Sequence, residues 1–425
     1  MYDVVIIGGG AAGFYAAVHI GESAPNLKIA ILERGKNVLS KVKVSGGGRC
    51  NVTHAEFDPN ELVKYYPRGG KELLGPFHRH GSGDTVAFFE DRGIRLKTEE
   101  DGRMFPTTNS SQTIVDFFER QTHLLGVHVL KHNAVTDIRY LSLKNQEKVW
   151  EVKTIKGAYQ SRKLLVATGG NAKMWNVLAN LGHTLEPPVP SLFTFNIKDD
   201  RIAGMQGIST YARVELLKKN FNPKISIKLS SKATDKRLLV AEGPVLITHW
   251  GMSGPAILRL SSWGARILND YKYRFRIRIN WMPDYHKGGV FPLLMEIKEV
   301  EVKKTVLRTK AVNIPRRLWT NLVRASGIET HTTWADVSKK QLQLLAEQLT
   351  ECEFLVEGKS TFKEEFVTAG GISLKEIDFK TFESKICPNL YFAGEVINVD
   401  AITGGFNFQN AWTGAYIAAQ GILKE

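Results

Sequence analysis

Two glycine-rich segments, one near each end of the chain, constrain the fold more than any other feature. In the first, Val4, Val5, Ile6 and Ile7 form an apolar run without polar alternation, which predicts a parallel strand covered on both faces. Gly8, Gly10 and Gly13 follow at the spacing of the dinucleotide fingerprint. The first glycine permits a tight turn, the second lets backbone approach a pyrophosphate, and the third lets a helix pack on the strand. A helix expected over residues 11–20, opening at Ala11 and Ala12, turns free N–H groups and a positive dipole end toward the phosphates. Residues 28–32 read as a second strand. Glu33 ends it about 20 residues past Gly13, where a carboxylate accepts hydrogen bonds from ribose hydroxyls, and Arg34 beside it is counted as a cofactor contact.

The first motif fits NAD as well as FAD; the far one discriminates. Residues 389–393 predict a strand ended by Gly394 and Glu395, an acid placed to meet a ribityl chain or pyrophosphate, with Asp400 further along. Gly404 and Gly405 let backbone pass close to a flat ring, beside Phe406 and Asn407. A helix expected over 408–420, with Gln409 in its first turn, presents amides to the pyrimidine edge of a flavin, where donors stabilise the charge of the reduced ring. A nicotinamide dehydrogenase has no need of a ligand-contacting segment so far from its fingerprint. The pair therefore points to FAD.

At 425 residues the chain has room for two or three domains. No apolar run approaches a membrane span, and Met1 leads straight into a core strand, so neither a membrane segment nor a targeting peptide is expected. Cys50, Cys352 and Cys387 form no Cys-x-x-Cys pair. That argues against a disulfide scaffold, a zinc site or a dithiol reductase; no metal is expected, and a reducing cytoplasm suits the chain.

The strand pattern continues at 126–130, 149–153 and 163–167. The last runs into Ala167, Thr168, Gly169 and Gly170, a turn that returns to the cofactor, while Ala134 and Val135 are placed to lay backbone amides against adenine. The fold class is α/β, a Rossmann-like FAD-binding domain with a three-layer, mostly parallel sheet, interrupted by an inserted β-barrel and helical substrate domain. The expected boundaries are 1–190 with 366–425 for the discontinuous FAD-binding domain, 191–288 for the β-rich, barrel-like insert, and 289–365 for its mainly helical part.

The net charge of +14 is concentrated in the middle, with 29 Lys and Arg against 18 Asp and Glu between Ser191 and Glu365. Residues 216–224 and 228–237 read as basic hairpins, and 273–279 as a strand with one charged face. A surface for nucleic acid or an acidic substrate and a plain solvated strand face both remain open.

Residues 41–54, from Lys41 through Ser45, Gly46, Gly47, Gly48, Arg49, Cys50 and Asn51 to His54, are a highly specific string. With 102–106, 167–170, 248–255 and the block from 367 to 409, they make the chain resemble the bacterial YhiN/BaiN-type FAD-dependent oxidoreductases over nearly its whole length. The resemblance implies a glutathione-reductase-like flavoprotein fold and activities such as reduction of steroid-like enones or oxidation of small amines. Phe406, Phe408 and Ile247 depart from the residues usual there, which bears on the ring pocket rather than on FAD binding.

Beside the resemblance stand the residues' own chemistries. The glycines at 46–48 let backbone curl round an anion or flat ring, Arg49 lends charge, and Asn51 offers a donor and an acceptor. Cys50 next to Arg49 is the tempting nucleophile, against a packing role. His249 is the acid/base candidate of the insert, against a structural role holding a strand-to-helix corner where Ser253 reads as N-cap and Pro255 as first-turn proline; Trp250 and Trp412 are expected in the core, with the lining of a substrate cavity as the alternative. No second Gly-x-Gly-x-x-Gly follows a strand, so electrons enter from a substrate or from transiently docked NAD(P)H. The expected reaction is hydride transfer between flavin N5 and a small organic substrate. The alternative is a nucleic-acid-directed, tRNA-modifying flavoprotein that uses the basic insert.

Overall fold

The computed structural model describes residues 1–142, 148–217, 240–360 and 367–424, and the chain divides into two compact units, Met1–Val189 with Val367–Glu425, and Pro190–Phe366. The first is built on five parallel strands: β1 (Tyr2–Ile7), β2 (Ile29–Leu32), β3 (His128–Leu130), β4 (Gly157–Val166) and β5 (Leu390–Phe392). Their order across the sheet is β5-β4-β1-β2-β3, so the chain leaves β1 in one direction and returns on its other side. That reversal opens a crevice at the carboxyl ends of β1 and β4, the place where such sheets bind ligands. β1 and β2 are buried almost throughout, which is why their sequences lack alternation. An antiparallel hairpin, Val135–Ser142 with Lys148–Thr154, extends the sheet from β4; its first strand is absent from the sequence reading because Thr136, Asp137 and Arg139 break the apolar run.

Two of the helices that pack on this sheet frame the crevice. α1 (Ala11–Ser23) follows β1, and α2 (Phe406–Leu423) follows β5, so elements almost 400 residues apart in sequence lie side by side. Trp412 of α2 is fully buried against Tyr15, Phe89 and Phe118, with its Nε1 donating to Val52 O at 2.9 Å. Helix α2 begins two residues earlier and ends three later than expected. The loop at 65–68 is clamped to the segment before α2. Asp400 is completely buried and accepts from Arg68 Nε and Nη2 through both carboxylate oxygens, while Tyr66 Oη donates to Phe406 O at 2.6 Å.

In the second unit, seven antiparallel strands run in the order Cys352–Glu357, Arg274–Asn280, Ser209–Leu216, Val240–Ile247, Gly251–Ser253, Thr194–Asn196, Lys359–Ser360. Its two edge strands are one chain segment bent at Gly358 (φ +150°), so the sheet curls back on itself as a barrel does. Helix Lys339–Thr350 is fixed by a capping box between Ser338 and Gln341 and buries Leu342, Leu345 and Leu349. The expected basic hairpins lie, from residue 218 onward, outside the described residues. The charged strand face is present, but Arg274 and Arg278 stand 3.8 and 3.4 Å from Glu357 and Glu353 of the neighbouring strand, so ion pairing consumes much of that charge.

Two expectations for stability follow from this packing. Burial pushes His19 down to about 3 and His80 down to about 4. The folded chain keeps both imidazoles neutral while the unfolded chain protonates them below about pH 6.5, so stability is full above that pH and falls as pH drops toward 4. By pH 5 the loss is about 2 kcal/mol per histidine. It should appear as a fall in Tm between pH 7 and 5, partly relieved by His19→Phe, since His19 Nε2 has no partner among the described residues. Asp400→Asn leaves Arg68 without its buried counter-charge and should cost about 3 kcal/mol in urea unfolding.

Candidate functional site

The glycines of the N-terminal motif differ in what demands them. A Cβ at Gly8, where φ is +115°, would lie 2.4 Å from Ala167 O, and one at Gly13 would lie 2.1 Å from Gly8 O. Both are fixed by backbone contact within the fold. Gly10 is not: its φ of −98° suits any residue, and a Cβ there would meet nothing within 4 Å. Gly10 also caps α1 without any side-chain hydrogen bond, so the helix start offers bare amides to open space.

Glu33 sits at the end of β2 with Oε2 accepting from Gly9 N at 2.9 Å and Oε1 from Gly35 N at 2.7 Å. Its carboxylate is thus aimed at the glycine loop and retains lone pairs for a hydroxyl. Asn133 N donates to Glu33 O at 2.8 Å, which brings Ala134 and Val135 beside that end of the sheet. Arg34 is exposed.

The C-terminal motif converges on the same place. Gly394 (φ +74°) faces Ala12 of α1 and Ala411 of α2, with its missing Cβ 3.5 and 3.8 Å from theirs. Lys41 Nζ donates to Glu395 Oε2 at 2.6 Å, and the carboxylate raises the lysine's pKa. Gly169, at φ +60°, passes within 3.5 Å of the same carboxylate oxygen measured from its missing Cβ. Beside it, Thr168 Oγ1 is buried with no hydrogen-bond partner among the described residues. Segments from 8–13, 41, 167–170 and 394–395 therefore meet around one crevice.

Other expected contacts also brace the loops. The helical segment Ser40–Gly48 breaks at Ser45, Gly46 and Gly47, and a Cβ on Gly46 would clash at 2.9 Å with Phe105, whereas Gly47 and Gly48 face open space. Arg49 is bound to Glu99 at 2.6 Å and lies over the Phe105 ring at 4.0 Å. Asn51, with its amide turned to satisfy both ends, donates to Thr53 O and Met104 O and accepts from Gly405 N at 2.9 Å. Asn407 is tied through its side chain to Ala401, and Gln409 accepts from Thr53 Oγ1 at 2.6 Å while donating to Thr413 Oγ1 at 3.0 Å. Phe406 stacks on Tyr65 at 4.2 Å and packs beside His54 at 4.5 Å, and Gly404 O contacts His54 Nδ1 at 3.0 Å. A Cβ on Gly405 would lie 2.6 Å from Thr53 backbone. Asn410, absent from the sequence reading, is completely buried with neither amide atom partnered among the described residues; its one sequence signal is a polar pair, Gln409-Asn410, inside an apolar helix.

Cys50 is fully buried, and burial pushes its thiol up to about 12, so it carries no thiolate at neutral pH. His249 is exposed on the turn between Val240–Ile247 and Gly251–Ser253, with no side-chain partner among the described residues. The following helix, Pro255–Trp263, is capped by Gly254 at φ +91° rather than by Ser253, because Ser253 is still paired in the sheet. Trp250 is 59% exposed rather than core, because the tight turn closed by Thr248 N and Gly251 O leaves it on the rim. A Ser384–His183–Glu376 relay has the order of a hydrolytic triad, at 3.2 and 3.1 Å. Ser384 Oγ, however, is buried and accepts from the N–H groups of Ile386 and Cys387, so the relay is a brace.

These residues fit FAD. An uncapped helix start facing an open glycine, an orphaned hydroxyl and an acid at the end of β2 are what a dinucleotide's phosphates and ribose require. Among the described residues no cluster is suited to a metal ion, and no helix is long and apolar enough to cross a membrane.

Comparison with known proteins agrees. The family model described as the HI0933-like protein Rossmann domain matches residues 2–421. The ribosomal RNA dihydrouridine synthase of Haemophilus influenzae is 28% identical, with 99% of this chain and 98% of that one aligned. That of Escherichia coli is 27% identical over the same shares. The 3-dehydro-bile acid delta(4,6)-reductase of Clostridium scindens is 25% identical, again over 99% and 98%. Among solved structures, the 3-ketosteroid delta1-dehydrogenase from Sterolibacterium denitrificans superposes with a TM-score of 0.50 at 11% identity, covering 99% of each chain, a likeness of fold. The chain belongs to the HI0933-like family and is an FAD-dependent oxidoreductase.

Proposed function

We propose that this enzyme reduces a carbon–carbon double bond conjugated to a carbonyl group, and that the bond is C5=C6 of a uracil base carried by RNA. One observation carries the reaction class: the relatives aligned end to end with this chain bear names for that same chemistry. Dihydrouridine forms by saturating C5=C6, which is conjugated to the C4 carbonyl. In a 3-dehydro bile acid, unsaturation at positions 4 and 6 is conjugated to the carbonyl at 3. In both, a hydride adds at the far end of the conjugated system and a proton at another carbon, because the carbonyl stabilises the charge between.

The FAD would be held by the start of α1 and Gly10 at its pyrophosphate, by Glu33 at a ribose, by the 134–135 backbone at adenine, and by Thr168, Lys41 and Glu395 further along. When bound, FAD supplies hydride transfer, and NAD(P)H is proposed as the transient electron donor. RNA is favoured as the carrier of the substrate because two of the relatives are named for ribosomal RNA and the chain carries a net charge of +14. A small steroid-like enone is the second reading, favoured by the bile acid reductase and by the ion pairing of the Arg274–Asn280 strand.

The cofactor site can be tested apart from turnover. Gly10→Val should lower the Tm of flavin-free protein only slightly yet weaken FAD binding by about tenfold or more, because a Cβ there meets no protein atom. Gly13→Ala should instead impair folding itself, since its Cβ would strike Gly8 O. For the reaction, RNA from cells lacking the gene should lose a dihydrouridine that the purified FAD-loaded enzyme and NADPH restore, read by mass spectrometry. If RNA is untouched while a 3-oxo-Δ4,6 steroid reoxidises the reduced enzyme, the second reading replaces the first. If neither compound reoxidises it, the reaction class is wrong.

A further inference from the structure

Among the described residues of the second unit, one run of positive charge lies in its helical part. Between Glu301 and Glu329 stand Lys303, Lys304, Arg308, Lys310, Arg316, Arg317 and Arg324, without a single Asp or Glu. Unlike the arginines of the Arg274–Asn280 strand, Arg308 and Arg316 make no side-chain hydrogen bond or ion pair among the described residues, and both are exposed. Lys304 is paired with Glu301, and Arg317 donates to Gly204 O.

Arg308 and Arg316 line a cleft of about 300 Å³ together with Thr305, Leu307, Thr320, Thr330 and His331. Thr305 Oγ1 is buried there with no partner among the described residues. Helix Arg316–Ala325 begins at the cleft with no side-chain cap, so its first amides add to the field. The scaffold is firm: Trp319 Nε1 donates to Val306 O at 3.1 Å, and Trp334 Nε1 to Thr309 Oγ1 at 2.8 Å. Arg316, Thr320 and Arg324 recur at i, i+4 and i+8 on one helix face. That stripe is about 12 Å long, too long for one phosphate group and suited to successive phosphates of a strand.

We infer that this cleft and stripe form the surface on which the enzyme grips the phosphodiester backbone of its RNA. Arginine guanidinium groups contact phosphates without reading sequence, so the surface contributes affinity and register rather than choice of base. The inference rests on the reading that RNA carries the substrate.

The test uses the full-length, FAD-loaded protein with Arg308, Arg316 and Arg324 all changed to Ala. The control removes the same charge elsewhere, by Lys28→Ala, Lys71→Ala and Lys380→Ala, which are exposed in the first unit. Binding of a uridine-rich single-stranded oligoribonucleotide is measured across a salt series. Losing three phosphate contacts should weaken binding at least tenfold and reduce the slope of log K against log salt by about 2. Flavin content and the rate of flavin reduction by NADPH should match the parent in both variants. Equal affinity and slope in parent and arginine variant, or equal losses in variant and control, would overturn the inference. If the parent grips the oligonucleotide through these arginines yet forms no dihydrouridine in any RNA, the surface stands and the uracil reading falls.

Discussion

The structure depends on one close approach of backbone to backbone. Helix α1 reaches β1 because Gly13 has no side chain to strike Gly8 O, and β1 reaches β4 because Gly8 has none to strike Ala167 O. Those two contacts set the crevice at the strand ends. The start of α1, the turn at 167–170 and the end of β5 all take their positions from it. The loops around it are then locked by side chains that satisfy one another: Thr53 with Gln409, Asn51 with Gly405, Asp400 with Arg68. A rigid, pre-shaped cradle is what binding an extended dinucleotide without large ordering costs requires.

Much of this was legible in the sequence because glycine and apolar strands leave distinct marks. The parallel core, the fingerprint, the acid after β2 and the meeting of the two terminal motifs each have a local signature with a physical cause. The roles of individual polar residues in the C-terminal loop were harder to read. Asn407, Gln409 and Asn51 have the donors and acceptors to meet a ring, but those groups are equally suited to bracing a loop, and only the fold shows the partners. Cys50 beside Arg49 looked reactive because proximity in sequence stood in for proximity in space; Arg49 is drawn away by Glu99 and the thiol is sealed in the core. Which charges are paired was not legible either. The arginines of the Arg274–Asn280 strand alternate conspicuously, whereas those of 303–324 are scattered among helix and turn and gather only when folded.

In the reaction proposed above, both half-reactions would fall to one flavin. Relatives aligned with this chain over their full length bear names for substrates as unlike as ribosomal RNA and a bile acid, so the shared fold does not by itself fix the substrate.

The sheet of the second unit has a consequence of its own. Its two borders are a single ribbon creased at Gly358, one half paired with Arg274–Asn280 and the other with Thr194–Asn196. A crease of this kind breaks the border into two short runs that point in different directions, a poorer template for a strand from another molecule than one long flat edge.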